Sequence, residues 1–360
     1  MAGFEGVHWA PKQLQYNILT EAARLLEADA KSFAISRSLH YGLFQVFEGI
    51  RFFCTQSQDG LEVRFVNLEH NLQRFARGIR YSISEQDAQM VPTPEQLRSL
   101  FLGYFREPQM RQFFEEMAQK NAQGYLRPFT LDEDQSIGVT FPKEPGIRAA
   151  VCRYDRYLGE PFVGAVVPNL VRAVTVNGTG CLKLGSNYLL SVKAVQMAKK
   201  IRSDAAAALF LDDRPDLPIR DRFITEWDSS CCLLALRDGR LLKIPEGPLI
   251  LPSVTVQGVI TLAKERGITV EERLVSYGEL IDWVLDDQVV AICSIGTAGI
   301  LNRCQELVLV DEDLQSIATY HIDQSHPLVE ILAEIRKDYW GMYLGDHPVP
   351  TVLKPEVHLL

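Results

Sequence analysis

Apolar positions along this chain repeat with two different periods, and the alternation between them is the first guide to its fold. Runs from Phe44 to Phe53 and from Leu61 to Phe65 read as strands, whereas His70 to Arg80, Thr93 to Glu107 and Met110 to Asn121 return apolar residues to one face at helical spacing. The part up to about residue 150 is therefore expected to be α+β. From Ile147 to about Leu170 the chain is rich in Gly and Pro and reads as a connector. Beyond it, Ala205 to Leu211, Cys231 to Leu236, Val289 to Cys293 and Leu307 to Val310 read as strands, with helices near 187 to 202 and 254 to 266. Arg237-Asp238-Gly239-Arg240 between apolar runs is a hairpin signal, so part of this sheet is antiparallel. The chain shows no internal repeat and no low-complexity segment. The expected division is a smaller N-terminal α+β domain (1–150), a connector (151–170) and a larger C-terminal domain (171–360).

The two helices of the C-terminal part carry end signals. In the first, Val192, Val195, Ala198 and Ile201 recur at near-helical spacing, Asn187 is placed to cap the first turn, and Lys199 and Lys200 suit the C-terminal dipole. In the second, Leu251-Pro252-Ser253-Val254-Thr255 leads into Val259, Ile260, Leu262 and Ala263, with Ser253 as N-cap and Gly267 closing it.

Composition narrows the class. At 360 residues with 47% hydrophobic, the chain has enough material for two cores. A formal charge of -9 with no Lys/Arg cluster argues against nucleic acid or an anionic membrane surface as partner. The cysteines at 54, 152, 181, 231, 232, 293 and 304 are odd in number and lie mostly in apolar runs, which favours free buried thiols. No Cys-x-x-Cys pair occurs and the histidines are scattered, so no metal site is expected. Met-Ala-Gly-Phe-Glu-Gly-Val-His at the start lacks a basic region followed by an apolar run, and a cytoplasmic protein is expected.

Several residues then stand out for their chemistry. Lys183 sits among glycines in Gly180-Cys181-Leu182-Lys183-Leu184-Gly185-Ser186-Asn187-Tyr188, just before a helix, where the backbone can come close to a ligand. The helix start at Val254 and Thr255 offers backbone N–H groups suited to a phosphate. Ser294-Ile295-Gly296-Thr297-Ala298-Gly299 follows a buried strand and carries hydroxyl and N–H donors. Arg74 lies on an amphipathic helix with the geometry to fork onto a phosphate. Glu226 ends an apolar strand, where a carboxylate wants a cation. Taken singly, each also reads as an ordinary surface lysine, cap, turn or surface charge.

As an ordered set they resemble the fold type IV pyridoxal-phosphate enzymes, and among them the branched-chain amino-acid aminotransferases, from about Leu39 to Leu301. Leu39-His40-Tyr41-Gly42 and Phe47-Glu48-Gly49-Ile50-Arg51 look like the family's His-Tyr-Gly and Phe-Glu-Gly-Leu/Ile-Arg/Lys motifs. Tyr125-Leu126-Arg127-Pro128 is similar to its Tyr-Ile-Arg-Pro, and Tyr157-Leu158-Gly159 to its connector. Lys183, Gly185, Asn187 and Tyr188 match its lysine motif; Thr225-Glu226, Leu251 to Thr255 and Gly296-Thr297-Ala298 match three further landmarks.

The resemblance implies a two-domain α/β fold of the branched-chain/D-amino-acid aminotransferase type, with pyridoxal 5'-phosphate as cofactor. It implies that Lys183 carries the cofactor and shuttles the substrate proton, that Glu226 pairs with the pyridinium nitrogen and that Tyr188 meets the ring hydroxyl. Arg74, the N–H groups of Val254 and Thr255, and the Thr297 hydroxyl would hold the phosphate. The substrate α-carboxylate would meet Thr297 and Ala298, with Phe47, Tyr154 and Tyr157 walling an apolar pocket. Arg127 beside Tyr125 would take the distal carboxylate of glutamate or 2-oxoglutarate, and Tyr41 would reach in from the second subunit of a homodimer. The implied reaction is ping-pong transamination between an apolar L-amino acid and 2-oxoglutarate.

The chain departs from the family's pattern at Trp227, Cys231, Ser253 and Val256, and has one more residue between the first two motifs. A tryptophan beside the glutamate is expected to alter the cofactor's surroundings. Competing readings are an aminotransferase for another amino acid or amine, a lyase of the aminodeoxychorismate type, and a non-catalytic descendant of the fold.

Overall fold

The structure is a computed structural model that describes residues 3–33, 35–158, 161–171 and 178–360. It divides into two compact units. One consists of Phe4–Arg156, Leu182–Ser186 and Met342–Leu360; the other is built mainly from Tyr157–Cys181 and Asn187–Gly341. The expected boundaries differ from this in four respects, the first being that Leu182–Ser186, and with it Lys183, belongs to the N-terminal unit and not to the C-terminal domain expected to carry it. The change of unit falls between Arg156 and Tyr157. The stretch read as a connector contains most of the strand Pro145–Tyr154 and all of the strand Phe162–Val167. Met342–Leu360 returns to the N-terminal unit, because its strand Pro355–Leu359 pairs with Leu61–Val66. That pairing joins segments too far apart in sequence for any local pattern to announce.

The N-terminal unit is an antiparallel sheet in the order Pro355–Leu359, Leu61–Val66, Ile50–Gln56, Gln123–Asp132, Pro145–Tyr154, Lys12–Asn17, Ala23–Glu27. Its helices Leu68–Tyr81, Pro94–Phe105 and Arg111–Lys120 fall where the periodicity places them, the second started by a Thr93–Gln96 capping box. Behind the sheet the rings of Phe52, Phe105 and Phe114 pack with centroids 4.8 to 6.1 Å apart. Each such ring, fully buried, contributes about 1.5–3 kcal/mol from burial alone. Gly124 allows the closeness: a Cβ there would stand 2.4 Å from the Phe52 ring.

The expected strand from Phe44 to Phe53 is shorter in the structure. Regular pairing begins at Ile50, opposite Leu126. Pro128 has no N–H to give to the ladder, and the preceding segment returns through the isolated bridge Phe47↔Phe129, the Glu48 N–H bond to the Pro128 carbonyl at 2.9 Å, and Thr130, whose N–H donates to the Val46 carbonyl at 2.8 Å.

The C-terminal unit holds a mixed sheet. Its path runs Ile224–Trp227, Ala207–Leu211, Phe162–Val167, Ile300–Val310, Val289–Gly296, Cys231–Leu236, Leu241–Lys243, Val270–Glu272, and Ile224–Trp227 also pairs with Cys231–Leu236, closing most of the path on itself. The strand Phe162–Val167 is parallel to both its neighbours. The hairpin read at 237–240 is present, with Gly239 at φ +91°.

The helix Leu189–Ile201 forms as expected, with Ala198 buried and Ile201 packed against the core, but Val192 turns to solvent. Ser191, Ala194 and Ala198 are buried, against Ala165, Ala205 and Ala208, while Val192 is 63% exposed. Small residues let the helix lie close on the sheet. Asn187 does not cap this helix. Its side chain is drawn to Thr179, accepting from the hydroxyl at 2.8 Å and donating to the carbonyl at 2.9 Å. The second helix, Val254–Glu265, is capped by Ser253, whose oxygen accepts from the Val256 N–H at 3.3 Å, and Gly267 follows at φ +75°.

Candidate active site

Lys183 belongs to the short segment Leu182–Ser186 of the N-terminal unit. The segment is held there as a strand would be: the Phe47 N–H donates to the Lys183 carbonyl at 3.0 Å, the Gly185 N–H donates to the Gln45 carbonyl at 2.9 Å, and Val46 bridges Leu184. This docking carries the Lys183 Nζ to 5.0 Å from the centre of the Phe47 ring. The Arg127 guanidinium lies 4.7 Å from the centre of the same ring and 5.0 Å from that of Tyr125, and its Nη2 donates to the Tyr125 hydroxyl at 2.9 Å. Gln123, Tyr125 and Arg127 share a face because alternate strand positions do. The Tyr125 hydroxyl sits where a side chain on residue 49 would be, 1.9 Å from such a Cβ, so glycine is required at Gly49.

Glu48 is fully buried and takes both forks of Arg74, from Nε at 2.7 Å and Nη2 at 2.6 Å, as well as the Gly49 N–H at 2.8 Å. Burial alone would raise its pKa; the Arg74 charge and hydrogen bonds, with Lys183 and the Gly49 N–H, outweigh that and hold it below its ordinary value. Arg74, expected at a phosphate, is thus oriented by an internal carboxylate. No role was read for Glu48 in the sequence. The rule applied to Glu226, that an acid in an apolar run needs a cation, would have found it.

Tyr154 is fully buried and accepts from the Arg51 Nη1 at 2.9 Å, while Arg51 also donates to the Gln123 side chain at 2.9 Å. It therefore backs the Phe47–Tyr125 side of the sheet from within, and does not line an open wall as expected. Burial raises its phenol pKa, outweighing the lowering effect of the Arg51 charge, with a smaller raising contribution from Cys152. Tyr41 ends the helix Arg37–Tyr41 and is 49% exposed; Arg37 ties that helix to Asp132 at 2.7 Å and Asp134 at 2.9 Å. The Tyr157 side chain and Gly159 lie outside the described residues.

In the C-terminal unit Glu226 is 1% exposed. The Leu251 N–H donates to its Oε1 at 3.2 Å, and the Cys231 thiol faces its Oε2 at 3.9 Å. Trp227 does not share that face. Adjacent strand residues point to opposite sides, and the indole is fully buried in the core, donating from Nε1 to the Cys293 carbonyl at 3.1 Å and meeting Phe162 at 5.1 Å. The expected disturbance beside the glutamate comes from Cys231 instead. Val256 is buried in the first turn of its helix, so no charge stands there. Val254 and Thr255 open that helix with N–H groups that no intrahelical carbonyl can take. Thr297 and Ala298 form the turn between Val289–Gly296 and Ile300–Val310, and Tyr188 closes the short turn Gly185–Tyr188. Among the described residues no cluster of His, Cys, Asp and Glu is arranged to hold a metal, and no helix is long and apolar enough to cross a membrane.

No family model matches the chain. A probable branched-chain-amino-acid aminotransferase of Staphylococcus aureus (strain N315) is 26% identical over 285 residues, covering 78% of this chain and 73% of that protein. The branched-chain aminotransferase of Thermoproteus uzoniensis, solved with norvaline, superposes with a TM-score of 0.67 at 22% identity, covering 93% of this chain and 96% of the other. The branched-chain amino acid aminotransferase of Escherichia coli superposes with a TM-score of 0.66 at 21% identity, covering 94% of this chain and 96% of the other. By sequence and by architecture, then, this chain is a fold type IV protein similar to the branched-chain amino-acid aminotransferases.

Proposed function

We propose that the protein is a pyridoxal-phosphate-dependent aminotransferase that exchanges the amino group of an apolar, branched-chain-like L-amino acid with 2-oxoglutarate by a ping-pong mechanism. The observation that carries this reading is the gathering of Lys183 and Arg127 over one Phe47 ring, beside the buried Glu48–Arg74 pair. A primary amine and a carboxylate-seeking guanidinium on one aromatic platform serve a site that handles both apolar and acidic amino acids.

The donor set fits the cofactor. Lys183 supplies the amine, Glu226 a buried carboxylate for a ring nitrogen, and the first turn of Val254–Glu265 the N–H groups for a phosphate. Arg74, held in place by Glu48, and the Thr297 hydroxyl would complete the phosphate contacts, and Tyr188 would meet the ring hydroxyl. When bound, pyridoxal phosphate supplies the electron sink that makes the substrate α-proton acidic. Lys183 Nζ removes that proton and returns it on the other side of the exchange. Glu226 would stabilise positive charge at the ring nitrogen. The Thr297–Ala298 turn orients the substrate α-carboxylate, Phe47 bounds the apolar side chain, and Arg127 with Tyr125 takes the distal carboxylate of the acidic substrate. Exposed Tyr41 supports a homodimer in which it completes the neighbouring site, and we place the protein in the cytoplasm.

Borohydride reduction of the cofactor-loaded protein followed by peptide mapping tests the assignment. The pyridoxyl group is expected on Lys183, and a label on another lysine refutes it. Mixing the loaded protein with single amino acids then reads the donor directly from the cofactor spectrum. Conversion by leucine, isoleucine or valine and back-conversion by 2-oxoglutarate is the expected result; conversion by other donors alone transfers the reading to another amino acid or amine.

A further inference from the structure

We propose that Cys231 is a positioning residue for the Glu226 carboxylate, holding its Oε2 side through the thiol while the Leu251 N–H holds Oε1. Three features of the structure place it there. The strands Ile224–Trp227 and Cys231–Leu236 pair in the register Glu226↔Cys231, so the two side chains stand opposite each other on one face. The turn between them is closed by the Trp227 N–H bond to the Ser230 carbonyl at 2.9 Å, which fixes that register. Leu251 joins the two: its N–H donates to Glu226 at 3.2 Å, and its carbonyl, 3.6 Å from the Cys231 Sγ, shares the thiol proton with the Glu226 Oε2 at 3.9 Å.

The chemistry of a thiol suits a particular purpose here. It is a weak donor, so it orients the carboxylate without drawing off much of its charge. An amide donor in the same place would stabilise the carboxylate more strongly and compete with a cationic ring for it. Trp227 is buried on the opposite side and Cys232 in the core, so neither shares the face on which Cys231 meets Glu226. The proposal rests on the reading of Glu226 as partner of the ring nitrogen.

The first test needs no cofactor. In the cofactor-free protein, the Glu226 side chain accepts from the thiol and holds it in place. Glu226→Gln should therefore speed iodoacetamide labelling of Cys231 at neutral pH by at least about threefold, with half-buried Cys181 on the same peptide map as an unchanged reference. Equal acceleration at both cysteines, or none at Cys231, overturns the contact. The second test uses the loaded enzyme. Cys231→Ala should lower the rate of α-proton removal by about three- to fivefold, the size of one modest hydrogen bond, with KM nearly unchanged and the pH titration of the cofactor absorbance shifted. Cys231→Ser, which keeps a donor, should recover most of the loss. In a Glu226→Gln background the alanine change should have no further effect. If Glu226→Gln alone keeps the wild-type rate, the reading of Glu226 falls and the positioning role with it. If Glu226→Gln is slow but Cys231→Ala slows both backgrounds equally, only the positioning role falls.

Discussion

Replacing Glu48 by glutamine removes one charge from a site with no access to water and leaves the shape unchanged. The Glu48 side chain is 0% exposed and that of Arg74 8%, and the guanidinium is joined to the carboxylate through two nitrogens. Removing one member of a buried pair strands the other charge, which costs about 3–5 kcal/mol. Glutamine keeps one acceptor oxygen, so the lower end, about 3 kcal/mol, is expected. For a unit of this size that is a fall in melting temperature of roughly 6–12 °C. The pH dependence provides the control. The folded pKa of Glu48 is depressed, so the pair's stabilisation is fully present above the ordinary value of 4.5 and is lost as pH falls through the lower folded value. Thermal unfolding of wild type and Glu48→Gln from pH 7 downward should therefore show two curves that converge below about pH 4.5. Glu48→Leu with Arg74→Met should recover much of the lost stability, because an apolar pair leaves no stranded charge. A Glu48→Gln protein melting within about 1 °C of wild type at pH 7, or curves that stay parallel to pH 3, refutes the coupling argument.

Other expectations follow from the same geometry. Arg127→Ala should reduce kcat/KM for 2-oxoglutarate by roughly thirtyfold, about 2 kcal/mol of charge-assisted bonding, and leave apolar donors far less affected; equal losses in both half-reactions make Arg127 structural. Gly124→Ala, which forces a methyl group against the Phe52 ring, should destabilise the N-terminal unit by about 1–3 kcal/mol in denaturant titration, and a neutral result means the aromatic cluster yields easily. Timed alkylation of the native protein should label Cys181 and Cys231 first. Cys54, Cys152, Cys232, Cys293 and Cys304 are buried, and burial pushes Cys152 up to about 11 and Cys293 to about 12; early labelling of these two contradicts the packing.

Local chemistry wrote much of this protein legibly. The helices at 68–81, 94–105, 111–120 and 254–265 follow from apolar spacing and, for the last, from the Ser253 cap, because a helix is stabilised by neighbours three and four residues away. The hairpin at Gly239 follows from a turn that needs positive φ. The motifs that carry the family resemblance are also short runs, and each lies in one segment of chain.

What tertiary structure decided concerns residues that meet across the sequence. On Leu189–Ile201, Ser191 and Ala194 joined Ala198 on the buried face and Val192 was left outside, a choice made by the residues the helix packs against, Ala165, Ala208, Phe210 and Val308 among them. Trp227 turned into the core and left Cys231 beside Glu226, a consequence of strand register that neither residue encodes alone. Arg74 found Glu48, and Asn187 turned from its helix to Thr179, since a buried polar group takes the partner that packing brings within reach. Periodicity fixes which residues share a face; only the assembled sheet determines what that face meets.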